Sequence, residues 1–105
     1  TGNEIRDFIH ISDVLRLVSI LLKKKNKFTI INGGTGKKHT IQNIVSMVQK
    51  IINPNVILKF NNQTKNGDPK YYCADIEQLT EFGFKSKINL QDGIIDYINW
   101  IKNND

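Results

Sequence analysis

The chain has 105 residues, of which 39% are hydrophobic and 24% are charged, and its formal net charge at pH 7 is +5. This length and composition predict one folded domain and exclude a disordered segment, which would carry fewer apolar residues and more charge. The single cysteine, Cys73, excludes an internal disulfide and predicts a reducing, cytoplasmic environment. The longest apolar stretch, residues 14–22, is interrupted by Arg16 and Ser19 and is too short to span a membrane.

Six of the fifteen basic residues form two groups, which are Lys23, Lys24, Lys25 and Lys27, and then Lys37 and Lys38. The first group falls where a helix is predicted to end, and cations there interact favourably with the helix dipole. Aromatic residues do not alternate with either group, as they do on a surface that stacks single-stranded nucleic acid. We therefore expect a solvated basic surface. A basic α/β module that binds nucleic acid or another anionic polymer is the alternative.

The first part of the chain is predicted to alternate strands and helices. Residues 5–11 are typical of a short strand, and Ser12 or Asp13 can cap the helix that follows. The expected apolar face of this helix consists of Val14, Leu17, Val18, Leu21 and Leu22. A second strand is predicted at 28–31, and it leads into a glycine-rich turn at 32–36.

The remaining predicted elements are three further helices and one more strand. Thr40 is predicted to cap a helix that Pro54 prevents from continuing, and alternating apolar residues at 56–60 predict a third strand. Residues 61–69 are predicted to form a loop. A short helix is expected from Asp75 to Gly83, and a last helix from about Asn89. The order predicts an α/β fold with about three short strands and four helices.

Three sequence signatures occur in order along the chain. The first is RDFIHISDV at residues 6–14. The second combines Asn32, Gly34, Thr35 and Gly36 with Thr40, and the third combines KNGD at 65–68 with Ala74 and Asp75. Together with Gly83, Phe84 and the NLQDG stretch at 89–93, they resemble the extended short-chain dehydrogenases/reductases, the family of the sugar-nucleotide epimerases and dehydratases. Two positions depart from the family pattern, because Gly33 replaces an aliphatic residue and Lys65 replaces an arginine.

The resemblance covers the whole chain, and it implies that residues 1–105 are the small C-terminal substrate-binding portion of a Rossmann-type enzyme similar to UDP-glucose 4-epimerase. The first residues, TGNE, also predict a fragment. The implied parent is a cytoplasmic, homodimeric enzyme that acts on a nucleoside-diphosphate sugar. Its N-terminal Rossmann domain, expected outside this chain, would bind NAD or NADP and transiently oxidise a sugar hydroxyl.

The family's chemistry requires a glycine-rich dinucleotide fingerprint and a Tyr-x-x-x-Lys pair, and neither occurs in this sequence. We therefore expect the chain by itself to bind no cofactor productively and to have no catalytic activity. A family relative that has lost catalysis is a further alternative. The residues alone do not distinguish epimerase, dehydratase and reductase, or identify the nucleotide and the sugar.

The resemblance implies a substrate-binding role for three residues. Arg6 corresponds to an arginine that contacts the diphosphate, although its guanidinium could instead form a surface ion pair with Asp7 or Glu4. Lys65 corresponds to a second phosphate-binding position, but an ammonium group cannot donate the bidentate pair of hydrogen bonds that an arginine does. Asp68 either accepts a hydrogen bond from a substrate hydroxyl or shapes the loop before Pro69.

The other signature residues are expected to have structural roles. His10 is expected to bond to backbone near the site, and Asp13 to cap a helix or accept an orienting hydrogen bond. The remaining structural positions are Asn32, Gly34, Gly36, Thr40 and Asp75. No metal site is expected, because His10, His39 and Cys73 are scattered along the sequence without ligand spacing.

Overall fold

The computed structural model describes residues 1–24 and 30–104. Its helices are α1 (Ile11–Lys23), α2 (Ile41–Ile52), α3 (Glu77–Glu81) and α4 (Leu90–Asn104), and its strands are β1 (Ile5–Arg6) and β2 (His39–Thr40). The strands are antiparallel, with Ile5 opposite Thr40 and Arg6 opposite His39. A parallel bridge also joins Ile5 to Tyr71. The predicted α/β class and the four helices are confirmed.

Helix α1 begins earlier than the predicted caps. The capping residue is His10, whose Nδ1 accepts a hydrogen bond from the Ser12 amide at 3.3 Å. The prediction of Ser12 or Asp13 as the cap is therefore wrong, because Asp13 already lies inside the helix and its carboxylate bonds to a different segment. The helix ends at Lys23, and the predicted basic residues Lys25 and Lys27 lie outside the described residues.

The predicted apolar face of α1 is only partly correct. Leu17 is buried, but Val18 and Leu22 are exposed. The reason is that α1 carries a second apolar stripe that no described residue covers, and this outer stripe consists of Ile11, Leu15, Val18 and Leu22. A helix that is apolar on two faces is typical of an element packed between two layers.

The local signals for α2, for the end of α3 and for the start of α4 are confirmed, but the predicted capping box at the start of α3 is wrong, because its cap position is Ile76. Thr40 caps α2 by accepting a hydrogen bond from the Asn43 amide at 3.2 Å, and the helix stops before Pro54. Gly83 follows α3 with a φ of +80°, a conformation that residues with a Cβ rarely adopt. The Asn89 side chain accepts from the Asp92 amide at 2.9 Å at the start of α4.

The predicted strands are largely wrong. The first is reduced to Ile5–Arg6, and residues 56–60 form no strand. In the predicted strand at 28–31, Phe28 and Thr29 lie outside the described residues, and Ile30 and Ile31 are not in a strand. A strand requires a hydrogen-bonded neighbour, and the described part of the chain provides none for residues 56–60.

The core is small and lies between α1, α3 and the segment after α3. Leu17, Leu79 and Phe84 are buried together, and the partly buried residues around them are Ile9, Ile20, Leu21, Ile31 and Ile76. The molecule is a thin slab of 51 × 36 × 20 Å. Within residues 1–24 and 30–104, no helix combines the length and the apolar character that crossing a membrane requires.

Candidate functional site

The Asp7 carboxylate connects three segments at the base of the candidate site. It accepts hydrogen bonds from the Thr35 amide at 3.0 Å, the Gly36 amide at 2.8 Å and the Ala74 amide at 3.4 Å. The Thr35 hydroxyl also donates to it. Because the backbone after β1, the glycine-rich turn and the segment before α3 share this one carboxylate, Asp7 fixes the backbone that carries the adjacent Arg6.

The glycines of this turn allow a close approach of backbone segments. A Cβ on Gly34 would overlap the Ala74 Cβ and lie 2.7 Å from Oδ2 of Asp7. Gly36 has a φ of +71°, and a Cβ there would lie 2.9 Å from the Ile76 side chain. A side chain at either position would therefore separate the turn from its neighbours. Asn32, the first residue of this signature, is exposed.

The Arg6 guanidinium lies against the loop that precedes Tyr71. Its Nη2 donates to Oδ1 of Asp68 at 2.8 Å, and its Nη1 donates to the Pro69 carbonyl at 2.8 Å and to the Ile5 carbonyl at 2.9 Å. The Arg6 side chain is 22% exposed and that of Asp68 is 50% exposed. The ion pair of Arg6 is therefore formed with Asp68, and not with Asp7 or Glu4.

The loop beside Arg6 surrounds an open hollow of about 440 Å³, lined by Lys65, Asn66, Gly67 and Asp68. The Asp68 amide donates to the Lys65 carbonyl at 3.1 Å, and Gly67 has a φ of +87°. The loop is thus a tight turn, and residues 65 and 68 are held close together at its ends. The structure therefore brings the three predicted substrate-binding residues, Arg6, Lys65 and Asp68, into one region.

His10 joins α1 to α4. Its Nε2 lies 3.1 Å from Oδ2 of Asp96, while its Nδ1 accepts from the Ser12 amide. With Nδ1 acting as an acceptor, Nε2 is the imidazole nitrogen that faces the Asp96 carboxylate. A Cβ on Gly93 would lie 3.3 Å from Cδ2 of His10, so this glycine allows α4 to approach the imidazole.

Asp13 is the one charged side chain that is fully buried among the described residues. Its carboxylate accepts hydrogen bonds from the Lys87 amide at 3.0 Å and the Ile88 amide at 3.1 Å, and Arg16 forms an ion pair with it. Burial favours the neutral acid, but the hydrogen bonds from Ile88, Arg16 and Lys87 outweigh it and hold the pKa of Asp13 below its ordinary value. Asp13 thereby fixes the segment that leads into α4.

Asp75 accepts a hydrogen bond from the Glu77 amide at 3.0 Å, but the residue that caps α3 is Ile76, which provides no side-chain hydrogen bond. Asp75 lies near Ala74, which bonds to Asp7, but its own carboxylate is exposed. Within residues 1–24 and 30–104, no three His, Cys, Asp or Glu side chains cluster as metal ligands do.

Sequence reasoning did not single out Asp7 or Asp96. Asp7 could have been noticed as a carboxylate between a strand and an apolar pair, a position where an anion requires hydrogen-bond donors. No local signal indicates Asp96, because its partner His10 is 86 positions earlier in the chain. Near this pair, a mainly apolar groove of about 680 Å³ lies between α2 and α4, and its walls include Phe8, Ile44, Tyr97 and Trp100.

The chain is similar in sequence to sugar-nucleotide enzymes. It is 30% identical over 103 residues to a putative UDP-glucose 4-epimerase of Methanocaldococcus jannaschii, covering 98% of this chain and 33% of that protein. It is 25% identical to a probable GDP-L-fucose synthase 1 of Oryza sativa subsp. japonica, covering 99% of this chain and 31% of that protein. No protein-family model matches. The chain therefore spans about a third of the length of the curated relatives it matches.

The fold of the chain is also similar to solved structures of sugar-nucleotide enzymes. UDP-glucuronic acid 4-epimerase from Bacillus cereus, in complex with UDP-glucuronic acid and NAD, superposes with a TM-score of 0.85 at 28% identity, and the match covers 99% of this chain and 34% of that one. MoeE5 in complex with the same two ligands has a TM-score of 0.87 at 25% identity, with 99% and 35% covered.

Proposed function

We propose a function from the premise that this chain is the C-terminal part of an extended short-chain dehydrogenase/reductase of the UDP-glucose 4-epimerase and GDP-fucose synthase type. The whole protein is an NAD(P)-dependent epimerase or dehydratase of a nucleoside-diphosphate sugar. This part holds the diphosphate of the substrate and does not itself react.

The observation that supports a diphosphate ligand is the position of Arg6 beside the hollow of the 65–68 loop. A pyrophosphate group carries two negative charges, and hydrogen bonds from charged donors are the strongest available to hold it. Arg6 is partly buried, so its guanidinium is screened less by salt than that of a fully solvated arginine. Lys65 lies at the edge of the same hollow and adds a second positive charge.

The nicotinamide cofactor is proposed to bind to the other part of the protein. The one glycine-rich turn in the described residues does not fit a cofactor pyrophosphate, because its Thr35 and Gly36 amides already donate to Asp7. Gly34 in the same turn is packed against Ala74 and Asp7. The Thr35 and Gly36 amides and the space beside Gly34 are therefore not available to a nucleotide.

The proposed partner of this chain is the cofactor-binding part of the same protein. A compact protein of this size exposes roughly 6,000 Å², whereas this chain exposes 8325 Å². The excess of roughly 2,000 Å² is as large as an obligate protein interface. The outer stripe of α1 contributes to this excess, and Leu22 at its end is 81% exposed. We infer that the cofactor-binding part covers this stripe.

The same proposal includes the oligomeric state and the cellular location of the parent enzyme. The parent enzyme is a homodimer, by similarity to its family, and it is located in the cytoplasm. The reduced, partly buried thiol of Cys73 is compatible with that compartment.

Calorimetric titration of the full-length protein with UDP and with GDP tests this proposal. We expect one of the two nucleotides to bind, and substitution of Arg6 by Gln to weaken that binding at least tenfold, because a charged hydrogen-bond donor to phosphate is lost. Glu81→Gln, an exposed carboxylate at the end of α3, is the control for a general change of charge.

The proposal fails if neither nucleotide binds, or if Arg6→Gln binds as well as the wild type. Sequence-independent DNA binding that decreases steeply with salt would favour the basic-module alternative instead. For the isolated residues 1–105 we expect no reduction of NAD or NADP with any nucleoside-diphosphate sugar. Measurable reduction would contradict the assignment of the chemistry to the other part of the protein.

A further inference from the structure

The Arg6 side chain is held by three acceptors on two sides. The Ile5 carbonyl belongs to its own strand, while Asp68 and the Pro69 carbonyl belong to the loop more than 60 residues later. Both Nη1 hydrogens are used, by Ile5 and Pro69, and one Nη2 hydrogen is used by Asp68. The guanidinium plane therefore has a defined orientation before any ligand binds.

A guanidinium group has five N–H donors in a rigid plane. Because three are occupied, the Nε hydrogen and one Nη2 hydrogen have no acceptor among the described residues. Two donors of one guanidinium can bind two oxygens of a phosphate in a bidentate manner. Without Asp68, the guanidinium would lose its one contact to Nη2 and its only charged partner, which leaves the Ile5 and Pro69 carbonyls on Nη1 to oppose rotation.

The loop directs the Asp68 carboxylate towards Arg6. The turn from Lys65 to Asp68 is closed by a backbone hydrogen bond of 3.1 Å and uses the positive φ of Gly67. A carboxylate at the edge of a diphosphate site would repel the ligand unless a cation neutralises it. The 2.8 Å ion pair with Arg6 provides that neutralisation.

We propose that Asp68 is a positioning residue that acts through Arg6, and does not bind a hydroxyl group of the substrate. This inference rests on the proposed function, since it assigns Arg6 to the diphosphate. It distinguishes Asp68 from Lys65, which lies in the same loop but has an ammonium group that can contact a phosphate directly.

A double-mutant cycle in the full-length protein tests the inference. The variants are Asp68→Asn, Arg6→Gln and the double variant, and the probes are inorganic pyrophosphate and whichever of UDP and GDP the wild type binds more tightly. Glu81→Gln is the matched control, because it removes one exposed carboxylate that belongs to α3 and not to the loop.

We expect Asp68→Asn to weaken the binding of both probes about tenfold. It should have almost no effect when Arg6 is already Gln, because the effects of substitutions at coupled residues are not additive. Pyrophosphate is decisive because it has no hydroxyl group and because removing a carboxylate should otherwise strengthen anion binding. Weaker binding despite the loss of a negative charge, seen only when Arg6 is present, requires an effect through Arg6.

Three results would overturn the inference. The first is unchanged or tighter pyrophosphate binding by Asp68→Asn together with weaker nucleotide binding, which would indicate a direct contact with a hydroxyl group. The second is an equal effect of Asp68→Asn with and without Arg6, which would indicate that Asp68 only shapes the loop. The third is the absence of binding by the wild type, which would contradict the proposed function itself.

Discussion

Oδ2 of Asp7 accepts a hydrogen bond of 2.8 Å from the Gly36 amide, which links β1 to a turn 29 positions later. The same carboxylate accepts from Thr35 and Ala74, so donors from two distant backbone segments converge on one residue. The neighbouring Arg6 is thereby fixed relative to the loop that it contacts. The proposed diphosphate site thus depends on the backbone that Asp7 holds in place.

Replacement of Asp7 by Asn should destabilise the protein by about 2 kcal/mol, because the new amide group adds a donor where only donors surround it. We also expect weaker binding of UDP or GDP, since Arg6 would no longer be held in place. Urea unfolding and titration calorimetry of the full-length protein measure the two effects. Equal unfolding midpoints for Asp7→Asn and the control Glu81→Gln would show that the hydrogen bonds accepted by Asp7 contribute little to stability.

Replacement of Gly34 by Ala should cost roughly 1–3 kcal/mol of stability, because overpacking forces the surrounding backbone to move. Its Cβ would overlap Ala74 and approach Asp7, and neither can move without breaking the contacts of the turn. Gly33→Ala is the matched control, because its Cβ would lie 3.7 Å from Leu17, which is an ordinary contact. Thermal unfolding of the two variants should separate them, and similar melting temperatures would contradict this account.

Asp13 should make stability depend on pH in the acid range. Its pKa is lowered in the folded state. Its contribution to the free energy of unfolding is therefore complete above the pKa of the unfolded state, which is about 4, and is lost as the pH falls through the lower pKa of the folded state. Asp13→Asn should therefore cost about 3 kcal/mol near neutral pH, since it leaves Arg16 without its anionic partner. The difference between variant and wild type should shrink as the pH falls below about 4.

Urea unfolding at a series of pH values measures this dependence. Asp92→Asn, an exposed carboxylate on α4, is the control for the general effect of acid. A constant difference between wild type and Asp13→Asn from neutral to strongly acid pH would contradict the prediction.

Replacement of Lys65 by Arg should tighten the binding of UDP or GDP by about threefold, because a guanidinium can donate two parallel hydrogen bonds to a phosphate and an ammonium cannot. Lys65→Gln should weaken binding by a similar factor. Lys59→Arg, outside the hollow, is the control for an added guanidinium. If Lys65 is only a solvated loop residue, all three variants will bind as the wild type does.

Local sequence rules predicted the helices because the responsible contacts lie within a few residues. Thr40 caps α2 through the amide three positions later, and Gly83 ends α3 through its own backbone conformation. The family signatures were also readable from sequence, and the similarity to sugar-nucleotide epimerases is confirmed. The strands at 56–60 and 5–11 were mispredicted because strand formation depends on a neighbouring strand that sequence alone does not locate.

The sequence by itself determined most of the helical segments, the positions of the required glycines and the similarity to sugar-nucleotide epimerases, since each depends on short-range sterics or on a linear pattern. Only the tertiary structure decided which partners the charged side chains bind. Arg6 bonds to Asp68 rather than to its neighbour Asp7, and Asp7 bonds to the glycine-rich turn. These choices require the chain to bring residues about 30 to 60 positions apart into contact, and electrostatic interactions are strong only at such short distances.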